Sequence, residues 1–331
     1  MKIGTISAVN WKQKIGKTIC TKRPEVLSVP TSEERCSVLH FDGRETVMTS
    51  ACVSGRTANT GGYGILRAVN TLAAKGAEPI GVDLNISLPM EADEALLKQI
   101  MEQSEKICAK LKVQLMCVKA EISPVVALPT ACVTAVGTAE PSELIQNSSA
   151  KPGQEIVLLG TAGLEGALRI LEEQEAELSN RFVPAFLYQT KQLAENLYAL
   201  PWIQRAASVG VTAMRQIGEG GIWAALWELL EEAHLGMEIE MSRIDLYQET
   251  IEICEYYRLN PYQMTSTGSI LMITENAEEV IRLLRLAGAR ASKLGITTDT
   301  PARVILGQAE KRYLDRPGPD AWLVWQAKRL M

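Results

Sequence analysis

Three glycine-bearing turns stand where a chain can hold an anion: Gly61-Gly62, the run Gly160-Thr-Ala-Gly163 followed by Gly166, and Gly220-Gly221. Each comes just before or at the start of a segment with helical spacing. A helix start offers N–H groups that have no intrahelical acceptor, and these suit phosphate oxygens. The same glycines also serve a plainer purpose, capping helices and permitting positive φ in turns. Both readings stay open on the sequence.

Thiol and imidazole chemistry has poorer material. The seven cysteines, at 20, 36, 52, 108, 117, 132 and 254, form no Cys-x-x-Cys pair, and only His40 and His234 accompany them. A zinc cage lacks donors, and buried free thiols are the expectation. Cys254 lies in the apolar helical stretch IEICEYY, which reads as a core thiol rather than a nucleophile. His40 and His234 have no visible partner, and Trp223, Trp227, Trp322 and Trp325 recur at helical spacing as core or interface residues.

The elements that position these residues fall into two sets. Residues 36–54 alternate around the turn Asp42-Gly43 and read as a hairpin. A helix is expected just after Gly61-Gly62, then a strand GVDLNISL. Residues 94–111 place Leu97, Ile100, Met101, Ser104, Ile107, Cys108 and Leu111 on one stripe, the clearest amphipathic helix in the chain. Strand-like VQLMCV and ACVTAVGTA follow. The stretch AEPSELIQNSSAKPGQ has linker composition, so a domain boundary is expected near residue 145, giving domains 1–145 and 146–331. Beyond it, strand EIVLL, the turn GTAGLEG and a helix succeed one another, with later strands SILMI and ARVIL and a helix AEEVIRLLRLAG. Both domains read as α/β.

Bulk properties agree with two compact cores. The 331 residues are 47% hydrophobic and 22% charged, and the formal net charge is −5. Dispersed basic residues leave no electrostatic footprint for nucleic acid or an anionic membrane. The N-terminal residues carry no apolar run of signal-peptide length and no later stretch has the span of a membrane helix, so a cytoplasmic protein is expected. The sequon at Asn147 is then without consequence.

The segments GGYGILRAVNTLAAKGAEP, KPGQEIVLLGTAGLEGALRIL, IGEGGIWAALWEL and LNPYQMTSTGSILMI, in this order and spacing, resemble the PurM-like superfamily of AIR synthase related proteins, nearest to its hydrogenase-maturation HypE branch. The likeness runs over nearly the whole chain, including LRLAGARASKLGITT near its end. It implies a two-domain fold with a ferredoxin-like N-terminal domain that forms a β-barrel across a homodimer. It further implies ATP as ligand and a hydrogenase-maturation protein as partner.

In such proteins aspartates hold magnesium against the nucleotide phosphates. Here Arg35 falls at one aspartate position, beside Glu34, which with Glu121 is what remains as a candidate metal ligand. Ser50 falls at another, the family's Asn-Asp pair reads Asn70-Thr71, and an acid of the second domain reads Gln216, followed by Glu219. Glu121 is a substitute acid at an uncertain position. These replacements argue against magnesium, because a hard cation prefers carboxylate oxygens. The remaining candidates for a nucleotide or other phosphate ligand are the glycines, Asn70, Gln216 and Glu219, with Arg35, Arg56 or Lys75 supplying positive charge. The branch also uses a cysteine near the chain end, whereas this sequence has none after Cys254. The expectation is a homodimeric binding or scaffold protein without ordinary magnesium–ATP chemistry. The alternative is an ATP-dependent enzyme with a rebuilt site.

Overall fold

The computed structural model describes residues 4–5, 11–26, 39, 43–307 and 310–329. Arg35, Glu34, Cys36, His40 and the first half of the expected hairpin lie outside the described residues. The chain divides into two compact units, Met1–Ala73 with Ala77–Leu144, and Ala74–Gly76 with Ile145–Met331.

The first unit contains β1 (Gly4–Thr5), β2 (Glu45–Ser54), α1 (Thr60–Ala74), β3 (Glu78–Leu88), α2 (Glu94–Leu111), β4 (Gln114–Ile122) and β5 (Thr130–Ala139). Its sheet runs β1-β4-β3-β5-β2, with β3 and β4 parallel and the other pairs antiparallel. In β3, Ile80, Val82, Leu84, Ile86 and Leu88 are buried while Asp83, Asn85 and Ser87 alternate to the other face. That period of two is what one covered face of a sheet requires. Helix α2 opens on Asp93, whose carboxylate accepts from Leu96 N at 2.8 Å, and all seven stripe residues expected from the sequence are buried. Helix α1 starts at Thr60, so Gly61 and Gly62 lie inside its first turn rather than ahead of it.

The second unit contains β6 (Glu155–Leu159), α3 (Leu164–Leu178), α4 (Pro184–Gln192), α5 (Leu200–Ala207), β7 (Val211–Gln216), α6 (Gly221–Ala233), β8 (Gly236–Glu240), α7 (Gln248–Tyr257), β9 (Ile270–Thr274), α8 (Ala277–Leu286), β10 (Ala291–Thr298), β11 (Arg303–Leu306), β12 (Lys311–Tyr313) and α9 (Ala321–Lys328). A seven-stranded sheet runs β12-β11-β8-β10-β6-β9-β7, antiparallel except for β11 against β8. One apolar cluster joins α6 to the sheet through Leu226, Leu230, Met237 and Ile273. Another joins α3, α4, α7 and α9 through Ile170, Leu187, Ile253, Met264 and Trp322. The α/β class expected from the sequence is what the chain adopts.

The expectation of buried free thiols changes, since Cys20 is exposed. Cys52 and Cys132 are not free thiols, because antiparallel pairing of β2 with β5 sets them opposite each other and a disulfide joins them. Of the four tryptophans read as core or interface, Trp223, Trp322 and Trp325 are buried core, and Trp227 is half-buried with the Arg303 guanidinium 3.9 Å from its ring centre. No helix among the described residues is long and apolar enough to cross a membrane.

Candidate functional site

The Gly160–Gly166 turn of the second unit packs against one buried loop, Thr265–Ser269. Gly160 and Gly163 have φ of +84° and +73°, the left-handed region that favours glycine. A Cβ on Gly160 would stand 3.1 Å from Ser269 Cα, and one on Gly163 would stand 2.8 Å from Pro261 O. These glycines let the loop approach the backbone, and the loop then takes the turn's donors. Gly163 N–H donates to Ser266 Oγ at 2.6 Å, and Thr161 N–H to Ser269 Oγ at 3.0 Å. Ser269 Oγ returns a bond to Thr161 O at 2.7 Å, and Gly166 N–H donates to Thr265 O at 3.2 Å.

The carboxylate of Glu165, fully buried, anchors the same loop. It accepts from Thr265 Oγ1 at 2.9 Å, from Thr267 N–H at 3.3 Å and from Arg169 Nη1 at 3.2 Å. Arg169 in turn lies over the indole of Trp322, 3.5 Å from the ring centre. A charge this deep persists only when paired and hydrogen-bonded.

Gln216, at the end of β7, accepts from Gly268 N–H at 3.4 Å. Gly220 caps α6 with φ of +80°, and its N–H donates to Asp320 Oδ2 at 3.0 Å while Asp320 Oδ1 accepts from Trp322 N–H at 2.9 Å. Burial pushes the Asp320 carboxyl up, against the pull of these backbone bonds. Gly221 sits against Tyr262, leaving no space for a Cβ. Glu219 lines a groove of about 810 Å³ with Arg215, Gly220, Trp227 and Asp320.

In the first unit, Gly61 and Gly62 face Ser104 and Ile107 of α2, so their lack of a side chain admits close helix packing. Asn70 is fully buried in α1, and Lys75 follows the end of that helix. Ser50 exchanges a 3.0 Å hydrogen bond with Thr134, and Thr71 Oγ1 donates to Arg67 O at 2.8 Å. Glu121 accepts from Ser87 Oγ at 3.2 Å and lies 3.8 Å from Lys119 Nζ.

The family resemblance implies magnesium ligands in each of the two units. The implied ligand positions within the described residues carry a hydroxyl at Ser50, a hydroxyl at Thr71 and an amide at Gln216, each already bonded within the protein. Among the described residues no three His, Cys, Asp or Glu side chains come together as a metal cage. Sequence reasoning passed over Glu165, Arg169, Ser266, Ser269 and Asp320. Two signals existed: the four-residue spacing of Glu165 and Arg169, and the Asp that precedes the apolar run of α9 as a helix cap.

Comparison with known proteins bears on both units. The family model for the AIR synthase related protein N-terminal domain matches residues 27–139, and that for the C-terminal domain matches residues 151–307. A protein of Methanocaldococcus jannaschii assigned to hydrogenase expression or formation is 24% identical over 96% of this chain and 97% of its own. Carbamoyl dehydratase HypE of Rhodobacter capsulatus is 25% identical over 69% of this chain and 66% of its own. Among solved structures, the hydrogenase maturation protein HypE in complex with ATP superposes with a TM-score of 0.76 at 14% identity, covering 97% of both chains. Thiamine-monophosphate kinase of Stenotrophomonas maltophilia superposes with a TM-score of 0.71 at 15% identity, over 93% of this chain and 99% of that one. At such identities the structural likeness shows the fold.

Proposed function

Because the chain belongs to the AIR synthase related protein family, with HypE-like relatives, we propose that it is a homodimeric binding or scaffold protein for hydrogenase maturation that lacks ordinary magnesium–ATP chemistry. The observation that carries this reading is the engagement of the glycine-turn donors. Gly163 N–H is held by Ser266 and Gly220 N–H by the Asp320 carboxylate. A phosphate arriving there would have to displace a buried hydroxyl and approach a buried carboxyl group. Gln216, whose amide meets the same loop, supplies no carboxylate to bring a metal ion with it. The fold is kept while the donors serve the protein's own packing.

A HypE–HypF complex among the fold neighbours supports a maturation protein as partner. The homodimer is supported by β2, which among the described strands stands at one end of the first sheet's order, where a second copy could add. Light scattering at micromolar concentration tests it, and a monomer there would overturn it.

The second reading, an ATP-dependent enzyme with a rebuilt nucleotide site, is favoured by the ATP bound in a fold neighbour that covers nearly the whole chain. Calorimetric titration with ATP and ADP, with and without magnesium, separates the two. No binding by a folded protein supports the scaffold. Metal-dependent micromolar binding supports the enzyme, and the same titration on Gln216→Asp and Arg35→Asp shows whether family acids restore it.

A further inference from the structure

A groove of about 930 Å³ lies along α8 in the second unit, between that helix, the turn that follows β8 and the start of β10. Ile244, Ile281 and Leu286 supply its apolar surface, and Leu286 is 72% exposed. Around them stand four cations: Arg243 from the turn, Arg282 and Arg285 from α8, and Lys293 from β10. The acids that line the groove are two, Asp245 and Glu278. On a chain whose formal net charge is −5, this local surplus runs against the molecule's own average.

The four cations are not equally engaged. Arg243 meets Glu240 at 2.8 Å and Arg282 meets Glu279 at 2.7 Å, in pairs whose side chains are all substantially exposed. Lys293 pairs with Glu155, and Asp245 is taken by Arg290 at 3.0 Å. Arg285 has no carboxylate partner among the described residues. Its Nη2 donates to Ala291 O at 2.9 Å, which holds the guanidinium between α8 and the start of β10 and leaves its other N–H donors open. Arg282 and Arg285, three positions apart, share a face of the helix. Exposed pairs such as Arg282–Glu279 contribute little and exchange partners readily, so an incoming carboxylate meets one open guanidinium and a second that is cheaply released.

We propose that this groove docks an acidic, aliphatic segment of a partner protein, one apolar side chain covering Leu286 and Ile281 while flanking carboxylates take Arg282 and Arg285. Planar guanidinium forks match carboxylates and fix their orientation. An inorganic anion would engage the forks and leave the aliphatic surface wet, whereas a segment of both characters satisfies the two together. The inference goes beyond the scaffold reading, because no lining residue belongs to the glycine turns or to the first unit with its β2 edge. Failure of the nucleotide or dimer tests and failure of this one are therefore read separately.

The test is fluorescence anisotropy of the intact protein with labelled peptides of about ten residues, in which leucines stand between glutamates at each helical and extended spacing. At least one peptide is expected to bind in the micromolar range, and more weakly as salt rises. Arg282→Glu with Arg285→Glu should weaken it at least about tenfold and Leu286→Ser about fivefold. Lys98→Glu, a charge reversal at an exposed position of α2, should leave it unchanged. Circular dichroism checks that each variant is folded, and if the double reversal unfolds the chain, Arg282→Glu alone is read in its place. Peptides with serine for leucine, or lysine for glutamate, should not bind. No binding by any leucine–glutamate peptide, or binding untouched by the α8 variants, would overturn the assignment. So would equal binding of the serine peptides or of inorganic pyrophosphate, which would make the groove a site for charge alone.

Discussion

Glu165 and Arg169 form a buried ion pair one helical turn apart, 3.2 Å between Oε1 and Nη1, with side-chain exposures of 0% and 6%. The pair ties α3 to the Thr265–Ser269 loop on one side and to Trp322 of α9 on the other. Removing one partner of such a pair strands a charge away from water. Arg169→Met is therefore expected to cost about 3–5 kcal/mol in urea denaturation. The double variant Glu165→Gln with Arg169→Met should cost less than the single one, because it leaves no unpaired charge. A double variant as damaged as Arg169→Met alone would show that the charge itself is not what the fold depends on.

Two glycines with the same backbone requirement separate strain from close approach. Gly153 has φ of +84° with nothing within 4 Å of where an alanine methyl would stand, whereas Gly163, at +73°, would place that methyl 2.8 Å from Pro261 O. Gly153→Ala should cost about 1 kcal/mol from the left-handed conformation alone. Gly163→Ala should cost roughly 2–4 kcal/mol, since the loop has to retreat as well. Equal costs in chemical denaturation would mean that the loop is not pressed against the turn.

The family and its fold class were legible because glycine punctuation and one strong helical stripe survive in the linear sequence. Residues 94–111 show this best: every residue read onto the stripe is buried, including Ser104, which faces Gly61. The interior of the candidate site was not legible. Thr265 reaches Glu165 across 100 positions, and Gly220 reaches Asp320 across another 100. No local periodicity links residues so far apart. Strand β10 was also missed, since its burial is broken by a bulge between Lys293 and Gly295 and it alternates poorly. The Cys52–Cys132 pair escaped for the same reason as the loop, because the β2–β5 register alone brings the two together.

Glu155 gives a pH-dependent prediction. Burial raises its pKa, but the Lys293 ammonium and the Ala277 N–H, 2.7 Å from Oε2, outweigh that and hold it below its ordinary value of 4.5. A carboxylate with a lowered folded pKa contributes stability that is fully present above 4.5 and is lost as pH falls through the folded value. Glu155→Gln should therefore cost about 0.5–1 kcal/mol at neutral pH, after allowance for solvent screening. The gap to the unmodified protein should close below the folded pKa. A gap that stays constant from neutral pH down to acid would assign the effect to packing.

Cys254 decides whether a relocated thiol nucleophile is available. It lies in α7 with its Sγ 3.5 Å from the sulfur of Met264, 1% exposed, and desolvation raises its pKa to about 12. At pH 8 a thiol of that acidity is ionised in roughly one molecule in ten thousand, and nucleophilic attack needs the thiolate. Iodoacetamide at pH 8 should therefore modify the exposed Cys20 within the usual labelling time and leave Cys254 untouched until denaturant is added, as read by peptide mass. Cys254→Ala should remove about 1–2 kcal/mol of stability by opening a small cavity beside Met264 and Ile253. Rapid labelling of Cys254 in the folded protein would place its thiol within reach of a substrate and return it to the candidates for covalent chemistry.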